Sequence, residues 1–248
     1  MKKNFFMTSS DSMKSLWSRR SLLKGTVAGA TGLVVAGTGS GLLSVAHASG
    51  GGSPDSIKTI LSVARTAEQL AVTFYSHAVQ NADKLGLKGK DLEDVRAILI
   101  GEQIHQTFFA EMGGESLADT FSFPHGAATY EDFGLFIKTL QQLEGVFDTT
   151  YLAAVKEFAE LGQPKMAQIA AQTAWTEGEH RAVGRTIAGI SPADNWGFAP
   201  VLVTSVGAAP EAVKDAGYLS PRPGNSYKFH AVSTYDPKII YRKPFALD

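Results

Sequence analysis

The chain has 248 residues, no cysteine, 23 basic against 24 acidic residues, and a mean hydropathy of −0.03. The lack of cysteine excludes disulfides, thiolate metal sites and a lipid-modified cysteine. The charge balance lacks the basic stripe of a nucleic-acid binder, and the length allows one domain with a full core.

The first segment reads as an address. Ser18-Arg19-Arg20-Ser21-Leu22-Leu23-Lys24 is a twin-arginine pattern, an uncharged Gly/Ala/Val-rich run extends from Gly25 to Ala46, and Ala46-His47-Ala48 offers a small-x-small cleavage site. The run is about long enough to span a bilayer, but its glycines and its Ala-x-Ala end favour cleavage over retention as an anchor. Residues 1–48 are therefore expected to be a signal peptide of the twin-arginine route, which carries folded, often metal-loaded proteins. The mature chain is expected in the periplasm or outside the cell, with no stable membrane span. Removing residues 1–48 takes away six Lys/Arg and one Asp, leaving 17 basic against 23 acidic residues, a charge of −6.

Residues 49–55 form a Gly-rich linker, in which Ser53 or Asp55 can cap the helix that follows. Apolar residues at helical spacing predict a first helix from Ser56 to about Asp83, closed by Gly86 and Gly89. A second helix runs from about Lys90 to Met112, with Asp91, Glu93 and Asp94 at its positive N-terminus, and stops at Gly113-Gly114. The third extends from about Tyr130 to Leu161. The fourth begins at Pro164 and ends at Gly189 before Pro192. From residue 190 to 248 the chain becomes proline-rich, with a short helix from Pro210 to Ala216 and a strand over Lys238–Tyr241. Phe198, Tyr218, Tyr227, Phe229, Tyr241 and Phe245 are many aromatics for a disordered arm, so this extension is expected to pack on the helices.

Two of the helices repeat one motif. Glu102-Gln-Ile-His105 and Glu177-Gly-Glu-His180 are both Glu-x-x-His, and Glu68 and Glu144 lie 34 and 33 residues before them. Residues three apart share a helix face, so each motif aims a carboxylate and an imidazole at one point. At 1.5 Å per residue, Glu68 lies about 22 Å from the end of the first helix and Glu102 to His105 about 17–21 Å into the second, so a hairpin brings them level. The second pair of helices gives the same agreement. The connection from Glu115 to Ala128 is long enough to travel the length of a bundle.

Glu68 lies among Ala64, Ala67, Ala71 and Val72, Glu102 among Leu99, Ile100 and Ile104, and Glu144 among Leu140, Leu143 and Val146. Carboxylates on apolar faces are costly unless something compensates them. Four carboxylates would neutralise two divalent cations. Oxygen-rich coordination with one nitrogen per ion suits iron first and manganese second, and the lack of sulfur disfavours copper(I) and structural zinc. Tyr75 and Tyr151, each seven residues after a lone glutamate, read as duplicate core tyrosines, with a role beside the ligands as the sharper alternative. Glu179 and Arg181 are expected to face other helices or solvent. Gly101 and Gly145 suggest close helix approach or small-molecule access, and His77, His125 and His230 read as surface or loop residues.

One Glu from each of two helices and Glu-x-x-His from each of the other two is the ligand pattern of di-iron and di-manganese carboxylate bundles. On these residues the chain resembles the ferritin-like superfamily over about Ser56–Gly189, and within it exported bacterial ferritin-like proteins and their desiccation-associated relatives. The resemblance implies an all-α, ferritin-like four-helix bundle with a long crossover between helices two and three, plus a mostly irregular C-terminal extension. It implies a metal centre held by Glu68, Glu102, His105, Glu144, Glu177 and His180, with Glu102 and Glu177 bridging and Glu68 and Glu144 terminal. Dioxygen, peroxide or ferrous iron would be the small-molecule substrate, in ferroxidase or catalase-like chemistry. A non-enzymatic stress, desiccation or envelope protein with a structural or vestigial metal site is the alternative. Fold and ligand set do not choose between them, and homo-oligomerisation is left open.

Overall fold

The computed structural model describes residues 53–239 and Pro244. The expected signal peptide and the start of the linker lie outside the described residues. Four long helices dominate: α1 (Ile57–Gln80), α2 (Lys90–Glu111), α3 (Phe133–Glu160) and α4 (Pro164–Ile187). A shorter helix, α5 (Ala209–Asp215), a two-residue antiparallel pairing of β1 (Thr120–Phe121) with β2 (Tyr227–Lys228), and short helical turns at Ala82–Leu85, Gly126–Tyr130 and Val206–Ala208 accompany them among the described residues.

Local chemistry sets the helix ends. Ser56 rather than Ser53 or Asp55 caps α1, its hydroxyl accepting the Thr59 N–H at 3.1 Å. Asp55 is used elsewhere, accepting the Gly207 N–H of the C-terminal extension at 2.6 Å. The first helix breaks at Asn81, short of the expected Asp83, and a single turn over Ala82–Leu85 follows before Gly86 takes a left-handed φ of 70°. The third helix starts later than Tyr130. Residues Gly126–Tyr130 form a 3-10 turn, and Asp132 then caps α3 by accepting the Leu135 N–H at 2.9 Å.

α1 pairs with α2 and α3 with α4, the two hairpins making most of the interhelical contact. The chain from α2 to α3 climbs α1 in order. Arg65 donates to the Gly114 carbonyl at 2.8 Å, Glu115 N–H donates to Ser62 Oγ at 3.0 Å, and Leu117 N–H donates to Thr66 Oγ1 at 2.9 Å. Further along, Phe123 and Tyr130 pack on Phe74. The crossover thus runs the length of the bundle, so α2 and α3 point the same way. Gly114 permits this start, because a Cβ there would lie 2.5 Å from the Leu61 carbonyl oxygen. Gly184 plays the same part within the second hairpin, where a Cβ would lie 2.3 Å from Leu140 Cδ2.

The C-terminal extension packs against this frame. Leu202 N–H donates to Thr149 Oγ1 at 2.9 Å, Tyr218 Oη donates to Gln142 Oε1 at 2.6 Å, and Val232 N–H donates to Gln103 Oε1 at 2.9 Å. The expected strand over Lys238–Tyr241 does not form where it is described: Lys238 and Ile239 lie in a turn closed on Asp236, and residues 240–241 lie outside the described residues. No helix among the described residues is long and apolar enough to cross a membrane.

Candidate metal centre

Each helix contributes at mid-length. Glu68 comes from α1, Glu102 and His105 from α2, Glu144 from α3, and Glu177 and His180 from α4. Their donor atoms fall into two overlapping groups, Glu68–Glu102–His105–Glu177 and Glu102–Glu144–Glu177–His180, each with its atoms within 4.8 Å of one another. Glu102 and Glu177 belong to both groups. All four glutamates are buried to 1% exposure or less.

His105 Nδ1 lies 3.6 Å from Glu68 Oε2, 3.6 Å from Glu102 Oε2 and 3.4 Å from Glu177 Oε1. His180 Nδ1 lies 2.9 Å from Glu102 Oε1, 3.5 Å from Glu177 Oε2 and 3.9 Å from Glu144 Oε2. None of these approaches makes a hydrogen bond. Both oxygens of Glu102 and of Glu177, Oε2 of Glu68 and of Glu144, and both Nδ1 atoms are buried without a hydrogen-bond partner. Eight inward-facing donors left this way would be a severe penalty in a closed interior. A cation between them removes it, so the donor set fits metal ions. Buried oxygens and imidazoles of this kind could hold them.

The electrostatics agree. Burial, then the charges of Glu102 and Glu177, push the Glu68 and Glu144 carboxyls well above the usual carboxylate range. Burial acts on Glu102 in the same sense, but His180 and His105 overcome it and hold that carboxyl well below its ordinary value. Burial opposes charge on His105 and His180 too, yet the surrounding carboxylates raise both imidazoles well above their ordinary value. Protons therefore occupy the cluster when cations do not.

Two residues read from sequence as core tyrosines turn out to touch the cluster. The Tyr75 hydroxyl of α1 donates to Glu144 Oε1 on α3, and the Tyr151 hydroxyl of α3 donates to Glu68 Oε1 on α1. Both rings are buried. The seven-residue offset from each lone glutamate was the visible signal, but each tyrosine serves the glutamate of the opposite helix. Arg181 faces inward, toward α3 and the C-terminal extension. It is 5% exposed, its guanidinium stacks 3.3 Å from the Trp196 ring centre, and it donates to Asn195 Oδ1 at 2.9 Å. Its neighbour across the helix pair, Asp148, has its carboxyl raised to about 6 by burial and by Glu177, against the pull of Arg181. Glu179 is exposed. His77 is half-buried between Tyr130 and Tyr227 rather than free on the surface, and His77, His125 and His230 all stand apart from the cluster.

Carboxylates and imidazoles gathered at mid-depth of a four-helix bundle are the arrangement in which such bundles build metal sites. The chain belongs to the ferritin-like domain family, whose model matches residues 57–189, more than half of its length. No curated protein and no solved structure matches it.

Proposed function

We propose that the cluster holds two metal ions, iron first and manganese second, and that the protein is an exported oxidoreductase acting on ferrous iron, dioxygen or peroxide. The observation that carries this reading is the set of eight buried, unpartnered donors, shared between two groups through Glu102 and Glu177. In this reading Glu102 and Glu177, which belong to both groups, would be shared between the two ions, with Glu68 and His105 holding one and Glu144 and His180 the other. Such ions supply one-electron redox changes in pairs, which suits two-electron reduction of dioxygen or peroxide. The residues around them do the rest. Tyr75 and Tyr151 occupy one oxygen of each terminal glutamate and turn the other inward, while the apolar surroundings exclude water. The twin-arginine pattern at Ser18–Lys24, read as an export signal, supports a site assembled in the cytoplasm and used in the periplasm or outside the cell.

Elemental analysis of protein from its native host comes first, with iron or manganese expected near two per chain. Rapid mixing of the iron-loaded mature chain with dioxygen or peroxide then gives the reaction. If no metal-dependent turnover occurs and Glu102→Ala behaves as the wild type, the protein is the non-enzymatic stress or envelope protein instead.

A further inference from the structure

The six cluster residues do not meet solvent equally. Side-chain exposure is 2% or less for the four glutamates, 9% for His180 and 17% for His105. The Nδ1 atoms are themselves buried, so the exposed part of each imidazole is its far edge. His105 lies on α2 and His180 on α4, and these two helices touch far less than the helices within either hairpin. The most exposed of the six side chains thus come from the two helices, α2 and α4, that make little contact with each other.

Gly101 stands in the seam between α2 and α4. It precedes Glu102 on α2, and a Cβ there would lie 3.5 Å from Nε2 and 3.6 Å from Cε1 of His180. That is ordinary contact, so packing does not forbid a methyl group; a longer side chain would lie over the exposed ring edge. A glycine inside a helix costs about 1 kcal/mol against alanine, and here its effect is to leave the His180 edge uncovered. The duplicated motif puts Thr176 at the matching position on α4, one residue before Glu177, and it is half-buried. Two cavities have linings other than the six residues, and only the first comes near them, through the Tyr151 ring that touches Glu68. The first is apolar and lined by residues such as Ile60, Phe109 and Ile169, and the second lies between His77 and His230.

We infer that the seam between α2 and α4, bordered by Gly101 and Thr176, is the entry to the centre, and that it admits bare ions and molecules of a few atoms while rejecting organic substrates. This rests on the metal-centre reading, whose substrates, dioxygen, peroxide and the metal ion, are all small enough to pass. The entry is formed by side chains that either bind through their inner edge or are absent.

Cobalt(II) tests it, because its visible absorption follows both loading and ligand binding. Uptake by metal-free mature protein should slow about tenfold in Gly101→Leu, with the final stoichiometry and the circular dichroism of the wild type. Gly178→Leu is the control, since a Cβ there meets nothing within 4 Å; it should load at the wild-type rate. Thr176→Leu repeats the test should Gly101→Leu fail to fold. In the loaded wild type, azide should change the spectrum and benzoate should not. Wild-type uptake rates in both seam variants, or a benzoate response equal to that of azide, would overturn the proposal. Failure of the wild type to take up cobalt at all would instead overturn the metal-centre reading beneath it.

Discussion

Tyr75 and Tyr151 carry much of the geometry at the centre. Each hydroxyl fixes one oxygen of Glu144 or Glu68, contributed by the other hairpin, so the two hairpins are tied together through the site itself. Partners of this kind orient ligands, and their loss costs about 10–100-fold in metal affinity. Tyr75→Phe and Tyr151→Phe should each weaken binding by about that factor in a chelator competition, with the helices intact; wild-type affinity in both variants would refute the role. A second expectation concerns protons. The carboxyls of Glu68 and Glu144 and the imidazoles of His105 and His180 all hold protons more tightly than usual in the metal-free cluster. A cation must displace them, so affinity should rise with pH, with about one proton or more released per ion. Calorimetry in buffers of different ionisation enthalpy measures that release, and a pH-independent affinity would contradict it.

At the scale of elements, the helices were legible because their signals are local: apolar periodicity, a Gly just beyond the ends of α2, α3 and α4, and Pro164 at a start. Four of the six clustered residues were legible for the same reason, since Glu-x-x-His spacing is a property of one helix, and Glu68 and Glu144 through their near-equal offsets from the two motifs. What sequence could not reveal was partnership. The crosswise tyrosines, the β1–β2 pair of two residues each, and the burial of Arg181 under Trp196 all depend on segments far apart in the chain. Glu157 belongs to this class. It sits near the end of α3, accepts the Val206 N–H of the extension at 3.2 Å, and has its carboxyl raised to about 7 by burial and by Asp55. The folded protein thus binds that proton more tightly than the unfolded chain between pH 4.5 and about 7. Its contribution to stability is full below the lower value and is lost as pH rises through the upper one. Glu157→Gln should flatten that part of the pH profile and raise stability at pH 8 by on the order of 1 kcal/mol, or about 2–4 °C in Tm. An unchanged profile in thermal unfolding would place the sensitivity elsewhere.

On the scale of the whole molecule, the matched family region ends at residue 189, yet the core does not. Val203, Val206, Val213 and Tyr218 are each buried to 9% exposure or less, and Tyr218 packs edge-on against Phe123 of the crossover. The extension also supplies β2 to pair with β1, and its backbone reaches α1 through Asp55 and α2 through Gln103. Both the crossover and the far ends of the hairpins are therefore covered by chain beyond Gly189. Burying one such side chain contributes about 1.5–3 kcal/mol, so four together rival the 5–15 kcal/mol that holds a typical domain folded. A chain of residues 49–189 should then fail to give a cooperative urea transition and should expose apolar surface to a dye such as ANS. Were that chain to unfold cooperatively at the urea midpoint of residues 49–248, the four helices would be the complete folding unit and the extension an accessory. The burial of Tyr218 against the crossover argues for the first outcome, because removing it uncovers Phe123 on the segment that fixes the direction of α3.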